Sequence, residues 1–272
     1  HELDFAGECR NAEHIAENFA DYADPDSPAL PPSGEVVQTE APEEVPAIIV
    51  IPRVYWQWTG ERVCVQEFIA GISGRKLATV DQAGLDRKVL ARRGARAVLK
   101  MIVEDGFFHA DLHGGNFFIM KDQRLGLIDF GLMGTLSKKN RTNLIAVLYA
   151  VVTHDYENMV YEFLEVAEYE TIPDHEELIR DIRDKLSPFV GLSVKETNVT
   201  ELVRAIISTL TRHRLYLPRE WFIIFRALMT LDGVGKSVGL DLNIFKILEK
   251  DLPKLLGEVL SKESANEEAM WI

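Results

Sequence analysis

The chain has 272 residues, 47% hydrophobic and 27% charged, which suits one large globular domain or two small ones and excludes disorder, collagen and coiled coil as overall descriptions. Lys and Arg number 30 against 43 Asp and Glu, a net charge of −13 that repels phosphate backbones. No basic cluster exceeds Lys138-Lys139-Asn140-Arg141 or Arg92-Arg93, so nucleic acid is not an expected partner. Cys9 and Cys64 are the only cysteines, too few for a disulfide framework and not in metal spacing, and they read as two reduced thiols in a reducing compartment.

From His1 to about Tyr22, Phe5, Ala12, Ile15, Ala16 and Phe19 recur at helical spacing between polar residues and predict an amphipathic helix packed on a sheet. The chain opens in this helix and without Met, so it is expected to be part of a longer protein. Six of the eleven prolines fall between Pro25 and Pro46, beside Glu40, Glu43 and Glu44, and predict a loop over 24–46. Ile48–Tyr55 and Arg62–Phe68 are β-branched and aromatic runs around Gly60 and predict a hairpin. Val80–Asp105 reads as one helix closed by Gly106 as its C-cap.

Asn116–Met120 and Leu125–Ile128, joined by the Lys121-Asp122-Gln123-Arg124 turn, predict a second hairpin. Leu136–Leu260 is helical in pattern, with interruptions expected near Pro173, Pro188–Ser193, Pro218 and Gly233–Gly239, and residues 261–272 are expected to fray. Leu144–Val152 is too short to cross a bilayer and reads as a buried helix, as does the Trp221–Phe225 run. Arg212, Arg214 and Arg226 read as structural ion-pair or capping residues.

The polar residues with chemistry in their spacing lie in HADLHGGN, His109 to Asn116, followed thirteen positions after Asn116 by Asp129-Phe130-Gly131. An Asp with an Asn five residues on, then a hairpin and a second Asp, is an arrangement suited to phosphoryl transfer, which is mostly positioning and charge neutralisation. Asp111 is the candidate proton acceptor or water-orienting group. Asn116 and Asp129 offer hard oxygen ligands for Mg²⁺ beside nucleotide phosphates. Gly114 and Gly115 are expected to let the loop turn tightly, and Gly131 to let the chain bend after Asp129. His109 reads as an orienting residue and His113 as a satisfied loop histidine.

Several separate segments together resemble the UbiB/ADCK family of atypical, protein-kinase-like proteins associated with coenzyme Q biosynthesis. They are Glu2-Leu3-Asp4-Phe5 with Glu8 and Asn11, Trp56–Ser73 (WQWTGERVCVQEFIAGIS), HADLHGGN, IDFGLMG, and His213–Gly235 (HRLYLPREWFIIFRALMTLDGVG). The resemblance implies an α+β, protein-kinase-like fold: a partial N-lobe over 1–70, and a helical C-lobe over 71–260 holding the catalytic and metal loops at 107–135. It implies ATP and Mg²⁺ as cofactors, Asp111 as the catalytic Asp, and Asn116 and Asp129 as metal ligands. Glu8 corresponds to the helix Glu that pairs with a nucleotide-binding Lys, and Glu2 and Asp4 match the family's E-x-D pair. Glu67, Phe68 and Ile69 correspond to the hinge whose backbone meets adenine.

A phosphate loop, a Lys-bearing strand and the family's lysine-glycine-glutamine segment do not precede the first helix, so weak ATP binding is expected of this chain. Leu112 and Gly114 stand where the usual catalytic loop has prolines. Partners implied are nucleotide and quinone-lipid precursors or a quinone-biosynthetic complex, in the cytoplasm or an organelle interior, peripheral to a membrane. Two other functions fit parts of the sequence: a small-molecule phosphotransferase of the aminoglycoside or choline kinase type, and a pseudokinase scaffold.

Overall fold

The computed structural model describes residues 4–20, 22, 48–190 and 199–237. The chain forms two compact units, residues 1–97 with 112–133, and residues 98–111 with 134–272. Glu2, the proline-rich 24–46 segment and the 261–272 tail lie outside the described residues. The stretch from Leu112 to Met133 belongs to the first unit, whose sheet its strands complete.

The first unit opens with α1 (Phe5–Phe19), started by Asp4, whose Oδ1 accepts the Gly7 N–H at 2.9 Å. Cys9, Ala12, Ile15 and Phe19, three or four residues apart, form its buried stripe. The sheet is mixed, with β1 (Ile49–Val50), β5 (Leu125–Leu127), β4 (Phe117–Ile119) and β2 (Ile72–Ser73) side by side in that order. β4 and β5 are the second predicted hairpin, antiparallel with Phe117 opposite Leu127 and Ile119 opposite Leu125.

The first predicted hairpin is only partly realised. Ile49–Val50 instead runs parallel to β5, with Ile49 opposite Leu125. Pro52, which has no N–H to give a ladder, separates this strand from Arg53–Tyr55. Antiparallel pairing survives beyond it, where Tyr55 N–H donates to Val65 O at 2.9 Å and Glu67 N–H to Arg53 O at 2.8 Å. Between these arms the chain makes a 3-10 turn, Trp56–Trp58.

The expected Val80–Asp105 helix is three pieces. α2 (Leu77–Gln82) stops before Gly84, which takes the left-handed φ of +69°. α3 (Arg87–Lys100) restarts after Asp86, whose Oδ1 accepts the Lys88 N–H at 2.7 Å. The last turn of α3 leads into the second unit and a π-helical turn, Met101–Asp105, closed as predicted by Gly106 at φ +64°.

In the second unit β3 (Phe107–His109) pairs with β6 (Met133–Thr135). Gly134 is needed there because a Cβ would stand 2.5 Å from the Phe108 ring. The Lys100 ammonium is largely buried and bonds both Asp105 oxygens, at 2.7 and 2.9 Å. Helices α4 (Lys138–Thr153), α5 (Tyr156–Val166), α6 (His175–Val190), α7 (Val199–Arg212) and α8 (Arg219–Ser237) come next, each packed on its successor.

His154 ends α4 in the left-handed region at φ 60°, and Asp155 caps α5, a break without Gly or Pro to announce it. α6 carries Pro188 and ends at Val190, and α8 carries Gly233 and ends at Ser237, so both described helices end inside the expected interruptions, a few residues past the first breaker. Both helices have apolar faces long enough to hold the chain helical through one poor residue, as Leu178, Ile182 and Leu186, or Trp221, Ile224, Phe225 and Leu228, are buried. Leu144–Val151 is a core helix face as expected, and Trp221 is wholly buried between the Phe163 and Phe225 rings at 5.8 and 5.9 Å. No helix among the described residues is long and apolar enough to cross a membrane.

Candidate functional site

The β4–β5 register places the two expected metal ligands at one end of the same hairpin. Asn116 immediately precedes β4, and its carbonyl accepts the Ile128 N–H at 3.1 Å, so Asp129 is the next residue along the facing strand. Thirteen positions of sequence are thereby reduced to neighbouring rungs of a ladder. Asn116 is buried, and the Asp129 carboxylate accepts the Gly131 N–H at 3.0 Å.

α1 grips the residue after Asp129 by both backbone polar groups. Glu8 Oε1 accepts the Phe130 N–H at 3.3 Å, and Asn11 Nδ2 donates to the Phe130 carbonyl at 2.9 Å. Glu8 and Asn11 are three apart and so share a helix face. The Phe130 ring is buried, which leaves its backbone as the polar edge that α1 reads. Burial raises the Glu8 carboxyl above its ordinary value; the Phe130 N–H pulls it down, and the nearby Asp129 charge pushes it up again.

The Mg²⁺ assignment can be tested against this donor set. Among the described residues no three His, Cys, Asp or Glu side chains gather as a metal cage. One carboxylate and one amide oxygen fit Mg²⁺, which keeps waters and takes phosphate oxygens for the rest of its shell. The mutual repulsion of Glu8 and Asp129 is also of the kind that a cation relieves. Asn116 and Asp129 carry hard-oxygen donors of the kind such an ion takes.

The loop before Asn116 is shaped by close approach rather than by unusual dihedrals. A Cβ on Gly74 would meet the Phe117 ring at 2.3 Å and the Gly114 carbonyl at 2.9 Å, and one on Gly115 would meet the Arg75 guanidinium at 2.5 Å. Gly114 and Gly115 are the central residues of a tight turn closed by the Asn116 N–H on the His113 carbonyl at 2.9 Å, and Gly131 lies in a bend, as expected, though none of the three has positive φ. His113 Nδ1 accepts the Gly115 N–H at 3.1 Å, a loop-holding role as expected. Asp4 is spent on capping α1, with Arg10 3.7 Å from its Oδ2. In the hinge-like segment the Glu67 carboxylate accepts the Arg53 N–H at 3.3 Å, while Ile69 is buried against Gly126 of β5, where a Cβ would come within 2.7 Å of it.

In the second unit, Asp111 follows β3. His109 is buried and its Nδ1 accepts the Asp111 N–H at 3.1 Å, which places the ring proton on Nε2 and fixes the backbone that carries Asp111. The Asp111 carboxylate accepts a bond from Arg226 Nη2 of α8 at 2.9 Å, both side chains being part-exposed. In the sequence Arg226 reads only as a structural ion-pair or capping arginine. Nothing local marks it, since its partner is 115 positions away. Arg212, by contrast, pairs with Asp181, which also lies 2.7 Å from His213 Nε2.

The ABC1 atypical kinase-like domain matches residues 1–163, and the UbiB helical domain matches residues 182–243. The chain belongs to the ABC1 atypical kinase-like family. A probable protein kinase UbiB of Xylella fastidiosa is 30% identical over 217 residues, 76% of this chain and 39% of that protein. Two Synechocystis proteins, sll0005 and slr1919, are 30% and 28% identical over 79% and 97% of this chain. This chain spans 31% and 42% of their lengths. The solved structure of the Rv3197–erythromycin complex from Mycobacterium tuberculosis covers 91% of this chain and 57% of its own, with a TM-score of 0.58 and 17% identity. It shares the fold, which is kinase-like and α+β.

Proposed function

We propose that this ABC1-family chain supplies the phosphate- and Mg²⁺-binding part of an atypical kinase-like enzyme that transfers or hydrolyses the γ-phosphoryl group of ATP. The grip of α1 on Phe130, with Glu8 at the N–H and Asn11 at the carbonyl, carries this reading. It fixes the residue beside Asp129 to a helix bearing the carboxylate that the resemblance pairs with a nucleotide-binding Lys. Mg²⁺, when bound there, would neutralise charge on the phosphates. Asn116 and Asp129 would hold it from adjoining strands. Asp111, oriented by His109 and Arg226, would accept the proton of an acceptor hydroxyl or orient a water. The hinge-like Glu67 and Ile69 backbone would meet adenine.

The resemblance to UbiB/ADCK proteins, and relatives named probable protein kinase UbiB, support a place in quinone-lipid biosynthesis, with quinone-lipid precursors or their enzyme complex as partners. The reading is tested by calorimetric titration of ATP with and without Mg²⁺ into this chain and its Asp129→Asn and Asn116→Ala variants, each checked for native circular dichroism. Weak, Mg²⁺-dependent binding lost in both variants is expected. Equal binding by all three, or none by the folded wild-type chain at millimolar nucleotide, overturns it and leaves a scaffold as the better account.

A further inference from the structure

The two cysteines, 55 positions apart, meet: Cys9 Sγ of α1 lies 2.8 Å from Cys64 Sγ, in the arm beyond Gly60. At that separation nothing fits between the sulfurs, and a disulfide of about 2.05 Å needs them to close by only roughly 0.8 Å. Cys9 is buried, whereas Cys64 is part-exposed and is therefore the sulfur an oxidant reaches first. The residue next to Cys9 is Glu8, which holds the Phe130 N–H. Three contacts join this helix to the same stretch of chain: Phe5 N–H to Glu61 O at 3.2 Å, Trp56 Nε1 to Glu13 Oε1 at 2.5 Å, and the thiol pair itself.

We propose that Cys9 and Cys64 are a dithiol–disulfide redox site, oxidised by a low-molecular-weight disulfide, and that the bond pins α1, with Glu8, to the arm at Cys64. The Cys64 thiolate attacks one sulfur of the oxidant, forming a mixed disulfide and releasing one thiol. Cys9 then attacks Cys64 Sγ, forming the Cys9–Cys64 bond and expelling the second thiol. The two protein thiols lose two protons and two electrons, and the oxidant leaves as two reduced thiols. Burial, and then the adjoining Cys64 thiol, push the Cys9 thiol up to about 12. Cys9 is accordingly a poor target for an outside oxidant, and contact with Cys64 is what makes the second step competent. A dithiol reductant reverses the cycle.

The test treats this chain and its Cys9→Ser and Cys64→Ser variants with oxidised glutathione, followed by intact mass, thiol titration after denaturation, and non-reducing peptide mapping. Expected for the wild type are the loss of one hydrogen pair in mass, no titratable thiol, and a peptide joining residues 9 and 64, all reversed by dithiothreitol. Cys9→Ser should stop at a single glutathione adduct on Cys64. Two thiols still free, separate adducts on both cysteines, or a cross-linked dimer overturns the site. Hydrogen exchange then reads the consequence: amides of 5–19 should exchange about tenfold more slowly in the oxidised form. Unchanged exchange in a chain that has formed the bond overturns the pinning of α1.

Discussion

The clasp between α1 and Phe130 separates two things that Glu8 does, offering an acceptor and carrying a charge. Replacing Glu8 by Ala leaves the Phe130 N–H without its side-chain acceptor, a loss of about 1–3 kcal/mol for a buried donor. The bond is long at 3.3 Å and Glu8 is only part-buried, so the lower half, about 1–2 kcal/mol, is expected. Glu8→Gln keeps an oxygen for the N–H and removes a charge that burial and Asp129 disfavour, so stability should be unchanged or rise slightly, solvent screening of the half-exposed group keeping the gain small.

The pH dependence has a fixed sign. The folded carboxyl is raised above 4.5, so below the unfolded value Glu8 is protonated in both states and carries no charge penalty. As pH rises past 4.5 the unfolded state ionises first and the folded state is progressively disfavoured. The advantage of Glu8→Gln over wild type should therefore be absent at about pH 4 and present at about pH 7. Urea unfolding of the first unit in metal-free buffer measures this; with a slope of about 2–3 kcal/mol/M, Glu8→Ala should lower the midpoint by roughly 0.5 M. If Glu8→Gln is destabilised as much as Glu8→Ala at about pH 7, the ionised carboxylate itself holds α1 and the reasoning fails.

Gly74→Ala should cost more than about 3 kcal/mol, because the new methyl would overlap the Phe117 ring and the Gly114 carbonyl. Gly131→Ala, whose nearest neighbour would be Asp129 Oδ1 at an ordinary 3.5 Å, should change stability by less than about 1 kcal/mol; thermal melts distinguish the two. Lys100→Met leaves the Asp105 carboxylate largely buried without its ammonium and should cost about 3–5 kcal/mol, and the double replacement Lys100→Met with Asp105→Leu should cost less than the single. Arg226→Ala removes a part-exposed pair worth up to about 1 kcal/mol, so the melt should barely move. Any nucleotide turnover by the chain should nonetheless fall about tenfold, and Arg226→Lys, which keeps the charge but not the reach and planar donor of the single Nη2 bond, should restore it only in part.

Local spacing points to Asp111, Asn116 and Asp129, the family resemblance points to Glu8 and the hinge residues, and neither shows how α1 reaches Phe130. Asn116 and Asp129 stand out because a hairpin with a polar turn lies between them, and such a hairpin brings its ends together by register alone. Arg226 carried no comparable signal, since only the folding of α8 delivers it to Asp111. The glycines of the loop were legible as constraints, yet their reason was not: a crowded approach between Gly74, Gly114 and Phe117 involves a partner about forty residues earlier.

By itself the sequence determined what nearest neighbours decide. Asp4 starts α1, Gly106 ends the helical stretch before β3, the Lys121–Arg124 turn folds β4 onto β5, and apolar periodicity marks α4 to α8 as core-facing helices. Tertiary structure decided the rest. Ile49–Val50 chose β5 over its chain neighbour because a strand's edge is satisfied by any matching backbone and Pro52 closed the local option. Pro188 and Gly233 were carried inside helices because burial of a long apolar face outweighs one unfavourable residue. Cys9 meets Cys64 for a related reason: the apolar stripe of α1 fixes the rotation of the helix, and that rotation aims the thiol at a strand-like arm 55 positions away.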